Sequence, residues 1–507
     1  TFTNAAQAAG LYCDGTYFYA VRANGSIVQV NASSTTAPPQ ITGAVAGGVD
    51  VNALGVYGDG SGLIALDRGA DAGNAAAVVS YTVTAAGGVQ SSRTALTTAQ
   101  GALLNRAGTA LDGTVIAGAV DPLNGRFVIG KSATGSVRLW EYTPAALNNG
   151  SRFLYLGSVS TGTSAGENGD IAFDAQGNLH IVQTAADSSN VGMFSVTREN
   201  LLAASGGTLP ASTTVRRALS GTDAGFALTS VNGMAFSPTG SVYLGNSTTA
   251  YQFDPTTWAR IPGSPRTTIG TTASGAGATD LASCSSPSTI TVEKNVVGRV
   301  AASDQFRLAL SSGSPAVEGS VATTTGSATG LQGQRIGPVP AQINTAVTIA
   351  ETMAAGSSSP LTAYTSVYEC WADGVRFASG TDKSATISIP NRLSVGVACT
   401  FTNSPAPFAT VRVTKIVEDA AGANRTPAAG WTMTSTATAN AGSTVTLLPS
   451  RNPAQQTGAD GTATWQMLFG AASHRGRVVV AETSQSGYRY QSLVCTVNGS
   501  TTATTVT

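Results

Sequence analysis

A short motif recurs along the first half of the chain and limits the folds that this sequence can adopt. A polar residue opens an apolar strand, a glycine-containing turn follows, and a second apolar strand returns. Complete copies are VNALGVYGDGSGLIAL at 51–66, IAGAVDPLNGRFVIG at 116–130, NGDIAFDAQGNLHIV at 168–182 and VNGMAFSPTGSVYLG at 231–245. Gly with Asp, Asn, Ser or Pro suits tight hairpin turns. Repeats of about 40–60 residues built from short antiparallel strands are typical of β-propeller blades.

One further copy of the motif is divided between the two ends of this region. Its first strand is ATDLASC at 278–284, and its continuation is CDGTYFYAVRANGSIVQVN at 13–31. Joined, the segments make one complete blade that closes the ring and removes its edge strands. The joining places Cys13 and Cys284 on adjoining strands, so we predict a disulfide between them. We predict a β-propeller over residues 11–286 with about five blades; six remain an alternative because residues 85–115 are hard to parse.

Polar residues open the inner strand of several of these blades. They are Asn52, Asn168, Asp170, Asn232 and Asp280. They could converge near the central channel and bind a ligand or cation. We favour the alternative that they satisfy backbone groups at strand ends, because their spacing has no metal-ligand signature.

Composition excludes several classes of function. The formal net charge is zero and 11% of residues are charged, so neither nucleic acid nor an anionic membrane surface is an expected partner. No apolar run approaches the ~18 residues of a membrane span, and no long helical periodicity appears, which predicts an all-β chain. The two histidines, His180 and His474, accompany no nucleophile motif and no zinc-type cluster. We therefore predict no enzyme and no cofactor, and a propeller hydrolase or lyase is the weakest reading.

The second half contains two modules of one pattern, at 287–406 and 407–507. Each has a lysine-bearing first strand, ITVEKNV at 290–296 or VRVTKIV at 411–417. Each continues to an A-E-T strand, VTIAET at 347–352 or VVVAET at 478–483. A cysteine-bearing strand follows, YTSVYEC at 364–370 or YQSLVC at 490–495. We predict two immunoglobulin-like β-sandwiches.

These residues resemble the prealbumin-like, or collagen-adhesin B-type, domains of bacterial surface adhesins and pilins. The resemblance implies an isopeptide crosslink from Lys294 to Asn403, promoted by Glu351, with Lys415 and Glu482 as the counterparts in the second module. In that chemistry a neutral lysine amine attacks the asparagine carboxamide while the glutamic acid shuttles the proton, and ammonia leaves. The proline that follows E-T in the family is absent from both modules. The alternative is an ordinary ion pair between Lys294 and Glu351 at the sheet edge. The chain as a whole also resembles large exported proteins that join a propeller to such modules.

The remaining cysteines indicate where the protein works. We pair Cys370 with Cys399, one strand apart near the end of the first module, and expect Cys495 to be unpaired. Two disulfides indicate an oxidising compartment. The chain starts at Thr1 without methionine, which fits an exported protein whose signal peptide has been removed. We expect an extracellular location at a bacterial cell surface.

The tetrapeptide TFTN occurs twice, at residues 1–4 and at 400–403, the last strand of the first module. The second module stops before the corresponding strand. One explanation is that the chain is truncated at its C-terminus. The other is donor-strand assembly, in which Thr1, Phe2, Thr3 and Asn4, at the start of an extension over residues 1–10, insert into the second module of a neighbouring copy. Asn4 would then meet Lys415 and Glu482.

Two functions follow from these alternatives. The first is a structural or adhesive surface protein, a subunit of a fimbria-like filament whose partners are further copies of itself, joined head to tail. The second is a monomeric surface adhesin, truncated here, whose propeller binds a glycan or protein of a host or of the environment.

Overall fold

The computed structural model of the chain describes residues 11–31, 38–48, 50–69, 76–101, 115–133, 135–162, 168–184, 190–218, 231–256, 260–264, 267–312, 320–497 and 500–502. The predicted extension at 1–10, with Thr1, Phe2, Thr3 and Asn4, lies outside these residues, as do residues 102–114 of the 85–115 segment. The described chain is all-β, as predicted, and its one described α-helix is the short α1 (Arg198–Leu202). Helix α1 begins at the N-cap Thr197, whose side chain accepts a hydrogen bond from the Asn200 N–H.

The chain divides into two compact units. The first comprises Thr1–Asn295, Ala301–Leu361 and Ser366–Thr402. The second comprises Val296–Val300, Thr362–Thr365 and Asn403–Thr507. The first unit therefore combines the predicted propeller region with most of the residues predicted for the first sandwich.

Short strands fill the first part of the first unit. They are β1 (Tyr17–Arg22), β2 (Ile27–Asn31), β3 (Val51–Val56), β4 (Gly62–Asp67), β5 (Ala77–Val83), β6 (Val89–Ala95), β7 (Val115–Val120), β8 (Phe127–Ala133), β9 (Ser136–Tyr142), β10 (Phe153–Ser160), β11 (Asn168–Phe173), β12 (Leu179–Thr184), β13 (Asn190–Val196), β14 (Ser212–Ala218), β15 (Gly233–Phe236), β16 (Val242–Gly245), β17 (Thr249–Phe253), β18 (Thr267–Thr268) and β19 (Ala278–Ala282).

These strands form antiparallel sheets that follow the sequence motif. Four sheets have the orders β3-β4-β5-β6, β7-β8-β9-β10, β11-β12-β13-β14 and β15-β16-β17-β18, and a three-stranded sheet has the order β19-β1-β2. In the last sheet Val21 pairs with Asp280 and Tyr19 with Ala282. The divided copy of the motif is therefore one sheet, built from the two ends of the region.

The first strands of these sheets pack against one another in a closed, propeller-like cycle. Strand β3 packs against β7, β7 against β11, β11 against β15, β15 against β19, and β19 against β3. The approach is close: a Cβ atom added at Gly118 in β7 would lie 2.4 Å from the Ala53 carbonyl carbon in β3. A glycine is required there because two backbones meet. A disulfide joins Cys13 to Cys284, whose Cα atoms are 5.2 Å apart.

The later strands of the first unit belong to a β-sandwich, some of whose strands continue into the second unit. They are β20 (Ser288–Val296), β21 (Phe306–Ser311), β22 (Val321–Thr323), β23 (Gly330–Leu331), β24 (Ile336–Ala341), β25 (Ala346–Met353), β26 (Thr365–Ala372), β27 (Val375–Gly380), β28 (Ser384–Ser388) and β29 (Gly396–Ser404). A 3-10 helix, Leu361–Ala363, precedes β26.

Two sheets build this sandwich. One has the order β23-β20-β29-β26-β27, with β24 also paired to β20, and the other has the order β22-β21-β25-β28. Alternating apolar residues of the strands meet in one core that includes Ile290, Leu308 and Ile349. The core also holds the disulfide between Cys370 and Cys399, whose Cα atoms are 4.0 Å apart.

The second unit repeats part of this pattern. Its strands are β30 (Ala409–Thr414), β31 (Ile416–Val417), β32 (Thr426–Pro427), β33 (Thr432–Ala439), β34 (Val445–Leu448), β35 (Ala454–Gln456), β36 (Thr462–Phe469), β37 (Gly476–Glu482), β38 (Cys495–Val497) and β39 (Ser500–Thr502). The main sheets have the orders β30-β36-β34 and β35-β33-β37, and two further sheets each pair two strands, β31 with β32 and β38 with β39. The core is small and centres on Trp431, Met433, Ala463 and Trp465.

Candidate functional site

The charged pair of the first sandwich lies in its interior. The Lys294 Nζ atom on β20 donates a hydrogen bond to the Glu351 Oε2 atom on β25 over 2.6 Å. Both side chains are fully shielded from solvent, at 0% exposure. The Nζ atom also lies 4.4 Å from the centre of the Phe306 ring. A buried ion pair is costly unless its remaining polar atoms are also hydrogen-bonded, so this fully buried pair differs from the ordinary ion pair at the sheet edge that the sequence left open.

Ser366 completes the hydrogen bonding of the glutamate. Its hydroxyl, on β26, donates to the Glu351 Oε1 atom over 2.6 Å and is itself buried. The two carboxylate oxygens therefore have separate partners, Lys294 and Ser366. Sequence reasoning missed Ser366 and Phe306. The available signal was strand alternation, because Ser366 lies an even number of positions from Cys370, whose side chain faces the core.

We expect Ser366→Ala to lower the free energy of unfolding of this sandwich by about 1–3 kcal/mol, because a buried carboxylate oxygen loses its donor. Urea unfolding followed by tryptophan fluorescence measures the change. Ser388→Ala, at an exposed serine of β28, is the matched control and should change the free energy by less than about 0.5 kcal/mol. Equal values for the two variants would contradict the role given to Ser366.

Asn403 lies near the end of β29, the strand that neighbours β20 in the sheet. Its side chain is fully buried, at 0% exposure. Among the described residues, neither Oδ1 nor Nδ2 of its carboxamide has a hydrogen-bond partner. The backbone carbonyl of Asn403, by contrast, accepts a hydrogen bond from the Val297 N–H at 2.9 Å. A buried carboxamide without partners is costly in a folded protein, and such a group needs an explanation.

The corresponding lysine–glutamate pair of the second unit is more exposed to solvent. The Lys415 Nζ atom binds both carboxylate oxygens of Glu482, at 2.8 and 2.9 Å. Their side chains are 17% and 36% exposed. The same Nζ atom lies 4.0 Å from the centre of the Trp431 ring. A lysine, a glutamate and an aromatic ring thus lie together as in the first sandwich, but here the charged side chains are less shielded from solvent.

Strand pairing explains this difference in exposure. In the first sandwich β20 lies between β24 and β29. In the part of the second unit that the structure describes, the equivalent β30 pairs with β36 and has no strand on its other side. The chain that follows β37 is also uncovered: Tyr488, Tyr490, Leu493 and Val494 are exposed. Tyr364 and Val367, which match Tyr490 and Leu493 in the sequence pattern of the first sandwich, are buried.

The polar residues of the inner ring strands bind backbone groups. Asn52 accepts a hydrogen bond from the Ala53 N–H at 2.7 Å, and the Asn232 amide donates to the Ala278 carbonyl at 3.5 Å. Asp170 and Asp280 are fully buried and hydrogen-bonded to each other. Burial raises the pKa of both carboxyl groups well above its usual range. Of these residues, the structure brings the two aspartates together.

His180 belongs to a buried hydrogen-bonded group in the third sheet. Its Nδ1 atom lies 2.8 Å from the Ser195 hydroxyl, and its Nε2 atom lies 3.1 Å from the Asp174 carboxylate. All three side chains are buried, with at most 1% exposure. The Ser195 hydroxyl is therefore shielded from solvent. Asp174 also accepts hydrogen bonds from the Gln176 and Asn178 N–H groups, so the group stabilises the hairpin between β11 and β12.

Other predicted residues lie apart from these groups. His474 accepts a hydrogen bond from the Thr444 N–H at 2.9 Å in a loop of the second unit. Cys495 is a free cysteine. Across the described ranges, we find no cluster of three or more His, Cys, Asp or Glu side chains arranged to hold a metal ion. No helix in the described part of the chain has the length and apolar character needed to cross a membrane.

Comparison with protein families identifies one part of the chain. Residues 289–405 match a family model described as a prealbumin-like fold domain. This match confirms the prealbumin-like resemblance for the sandwich that contains Lys294 and Glu351. No curated protein matches the chain.

Several solved structures are similar in fold at low identity. The β-propeller domain of Cps50 (Swd1) from Myceliophteria thermophila is 13% identical, with a TM-score of 0.28 over 52% of this chain and 87% of that one. An exo-β-1,3-galactanase from Phanerochaete chrysosporium is 12% identical, with a TM-score of 0.29 over 90% and 100%. The major pilin of Streptococcus pyogenes is 12% identical, with a TM-score of 0.16 over 54% and 84%. All three TM-scores are below 0.5.

Proposed function

We propose that the protein is an extracellular structural or adhesive protein of a bacterial surface, a filament subunit that joins copies of itself head to tail. The prealbumin-like match at 289–405 supports a pilin-type role rather than an enzymatic one. Two disulfides support an oxidising compartment. The arrangement around β30 carries the assembly: among the described strands of the second unit, none pairs with the β30 edge where the first sandwich has β29, and the nearby Lys415–Glu482 pair is partly exposed.

A covalent crosslink within the first sandwich is the first element of this proposal. The Lys294 amine forms a bond to the side-chain carbonyl carbon of Asn403, and the bond from that carbon to the amide nitrogen breaks. Glu351 takes a proton from the amine and passes it to the leaving nitrogen, which departs as ammonia. The buried Lys294–Glu351 contact and the unpartnered Asn403 carboxamide support this reaction.

Donor-strand docking is the second element. The strand that we propose beside β30 is Thr1–Asn4 of a second copy, whose sequence is identical to Thr400–Asn403 of β29. Phe2 would then take the position of Phe401, which is fully buried in the first sandwich. Asn4 would take the position of Asn403 and face Lys415 and Glu482. In the first sandwich β29 lies between β20 and β26, so a docked strand also gives the exposed residues after Tyr488 a strand to pack against.

A head-to-tail contact of this kind does not close on itself and makes a filament. We expect negative-stain images of the full chain to show fibres, and expect Phe2→Asp or deletion of Thr1–Asn4 to abolish them, because a charge cannot occupy the buried position. Gln7→Ala, outside the tetrapeptide, is the matched control and should leave the fibres unchanged. Fibres that persist without Thr1–Asn4 would contradict the docking of this tetrapeptide beside β30.

The bond between copies can be separated from the docking. Asn4→Ala removes the carboxamide but keeps the strand, so we expect fibres that form normally and dissociate in hot detergent. Wild-type fibres should resist the same treatment. A monomeric adhesin would give neither fibres nor detergent-resistant ladders.

A further inference from the structure

The inner strands of the ring contain very few ionisable side chains. Strands β3, β7 and β15 read VNALGV, VIAGAV and GMAF and have none. Strand β11 contributes Asp170, and β19 contributes Asp280. Both are completely buried, with at most 1% exposure. An isolated buried carboxylate is costly, so two of them at one place need a structural reason.

Their hydrogen bonds link the first strands of all the sheets. Asp170 accepts a hydrogen bond from the Met234 N–H and thereby ties β11 to β15. Asp280 accepts one from the Leu54 N–H at 2.7 Å, which ties β19 to β3. It also accepts one from the Gly118 N–H of β7. The two aspartates therefore divide the inner strands into two groups, β11 with β15 and β19 with β3 and β7.

A hydrogen bond between the two carboxyl groups joins these two groups of strands. An ionised carboxylate is only an acceptor, so this bond requires a proton on one of the pair. Two ionised carboxylates in contact without water would repel each other instead. Burial, and for Asp170 also the neighbouring charge of Asp280, raises the pKa of the carboxyl group well above its usual range.

We propose that the axis of the ring is a proton-binding site, where one proton held between Asp170 and Asp280 joins the β11–β15 pair of strands to β19, β3 and β7. Release of the proton converts the joining hydrogen bond into a repulsion between two carboxylates. The ring is then weakened along the boundary between the two groups of strands. The carboxyl pair thus makes the stability of the ring sensitive to rising pH.

Other ionisable side chains on strands packed against β11 and β19 are Lys131 on β8, His180 on β12, Tyr17, Tyr19 and Arg22 on β1, and Tyr243 on β16. His180 is bonded to Asp174 and Ser195. The Tyr19 hydroxyl donates to the Tyr12 carbonyl, and Arg22 donates to Gln40. Lys131 is buried, and the variant Lys131→Met measures its share of any pH dependence.

The sign of the effect follows from proton linkage. In the unfolded chain an aspartate loses its proton near pH ~3.9, whereas the folded pair keeps one proton to higher pH. Above that value folding takes up a proton, so stability falls as pH rises, until the folded pair also releases it. For one proton, the equilibrium constant of unfolding rises about tenfold per pH unit in this window.

The test uses the full chain and has two readouts. Infrared spectra of protein labelled with carbon-13 at its aspartate side chains should show a protonated aspartate at neutral pH, absent from Asp170→Asn and from Asp280→Asn. In urea unfolding between about pH 5 and pH 8, the stability of the wild type should fall more steeply with pH than that of either variant. The equilibrium constant of unfolding of the wild type should rise by up to about tenfold per pH unit. The asparagine of either variant can donate a hydrogen bond to the remaining aspartate, and its side chain does not titrate in this pH range.

Asp59→Asn, at an exposed turn residue, is the control and should keep the wild-type pH dependence. A folded wild-type protein without a protonated aspartate at neutral pH would overturn the proposal, and this measurement does not require the variants to fold. A protonated aspartate that remains in both variants would overturn it as well. Neither readout depends on filament formation.

Discussion

Monomers of the purified protein are expected to be about 17 Da lighter than the disulfide-bonded sequence, because the bond between Lys294 and Asn403 releases one ammonia. Glu351→Gln should restore the missing mass, because an amide cannot take the proton from the amine and pass it to the leaving nitrogen. Intact-mass spectrometry measures both, and a branched peptide that contains Lys294 and Asn403 locates the bond. A wild-type mass equal to that of the uncrosslinked chain would contradict the reaction.

The crosslink is also expected to have a large effect on stability. It would close a loop between the first and last strands of the sandwich and so restrict the unfolded chain. The chain-entropy model for crosslinks of this length gives about 5 kcal/mol. We therefore expect Glu351→Gln to lower the free energy of unfolding by roughly that amount in urea. Glu482→Gln, in the more exposed pair of the second unit, is the matched control, and it should leave both the mass of the monomer and the stability of the first sandwich unchanged.

The second large effect is expected from the disulfide that joins the two ends of the ring. Cys13 and Cys284 are separated by 271 positions, so the bond closes a very long loop in the unfolded chain. We expect Cys13→Ala with Cys284→Ala to lower the free energy of unfolding of the ring by about 5 kcal/mol. Urea unfolding of the full chain measures this.

Cys495→Ala is the matched control, because Cys495 is a free cysteine and closes no loop. The control should unfold as the wild type does. A double alanine variant that is as stable as Cys495→Ala would mean that strand pairing between β1 and β19 closes the ring without help from the disulfide.

Much of the local structure could be predicted from the residues. The glycine-containing turns identified the hairpins β3-β4, β7-β8, β11-β12 and β15-β16, because a tight turn and two alternating strands are specified within about 15 residues. The motif divided between 13–31 and 278–284 also predicted the pairing of β1 with β19. Local chemistry was sufficient in these cases, since each strand carried its own pattern.

The burial of the two lysine–glutamate pairs could not be predicted in the same way. Lys294 and Lys415 occur in similar sequence segments, and so do Glu351 and Glu482. One pair is fully shielded and the other is partly exposed. The difference depends on whether a strand lies beside the lysine-bearing strand, and that strand is distant in sequence. Ser366 was missed for the same reason, because its role depends on the position of β26 relative to Glu351.

Sequence patterns alone specified the hairpins, the cysteine pairs and the repeated Lys and Glu positions. Each of these depends on residues close together in the chain or on a pattern that is repeated along it. The sequence patterns also marked Asp170 and Asp280 as polar residues at inner strands, where we favoured bonds to backbone groups. Their contact with each other arises only when the ring closes and brings β11 and β19 to one axis. Whether two carboxyl groups share a proton depends on that distance and on the exclusion of water, and both are properties of the assembled sheets.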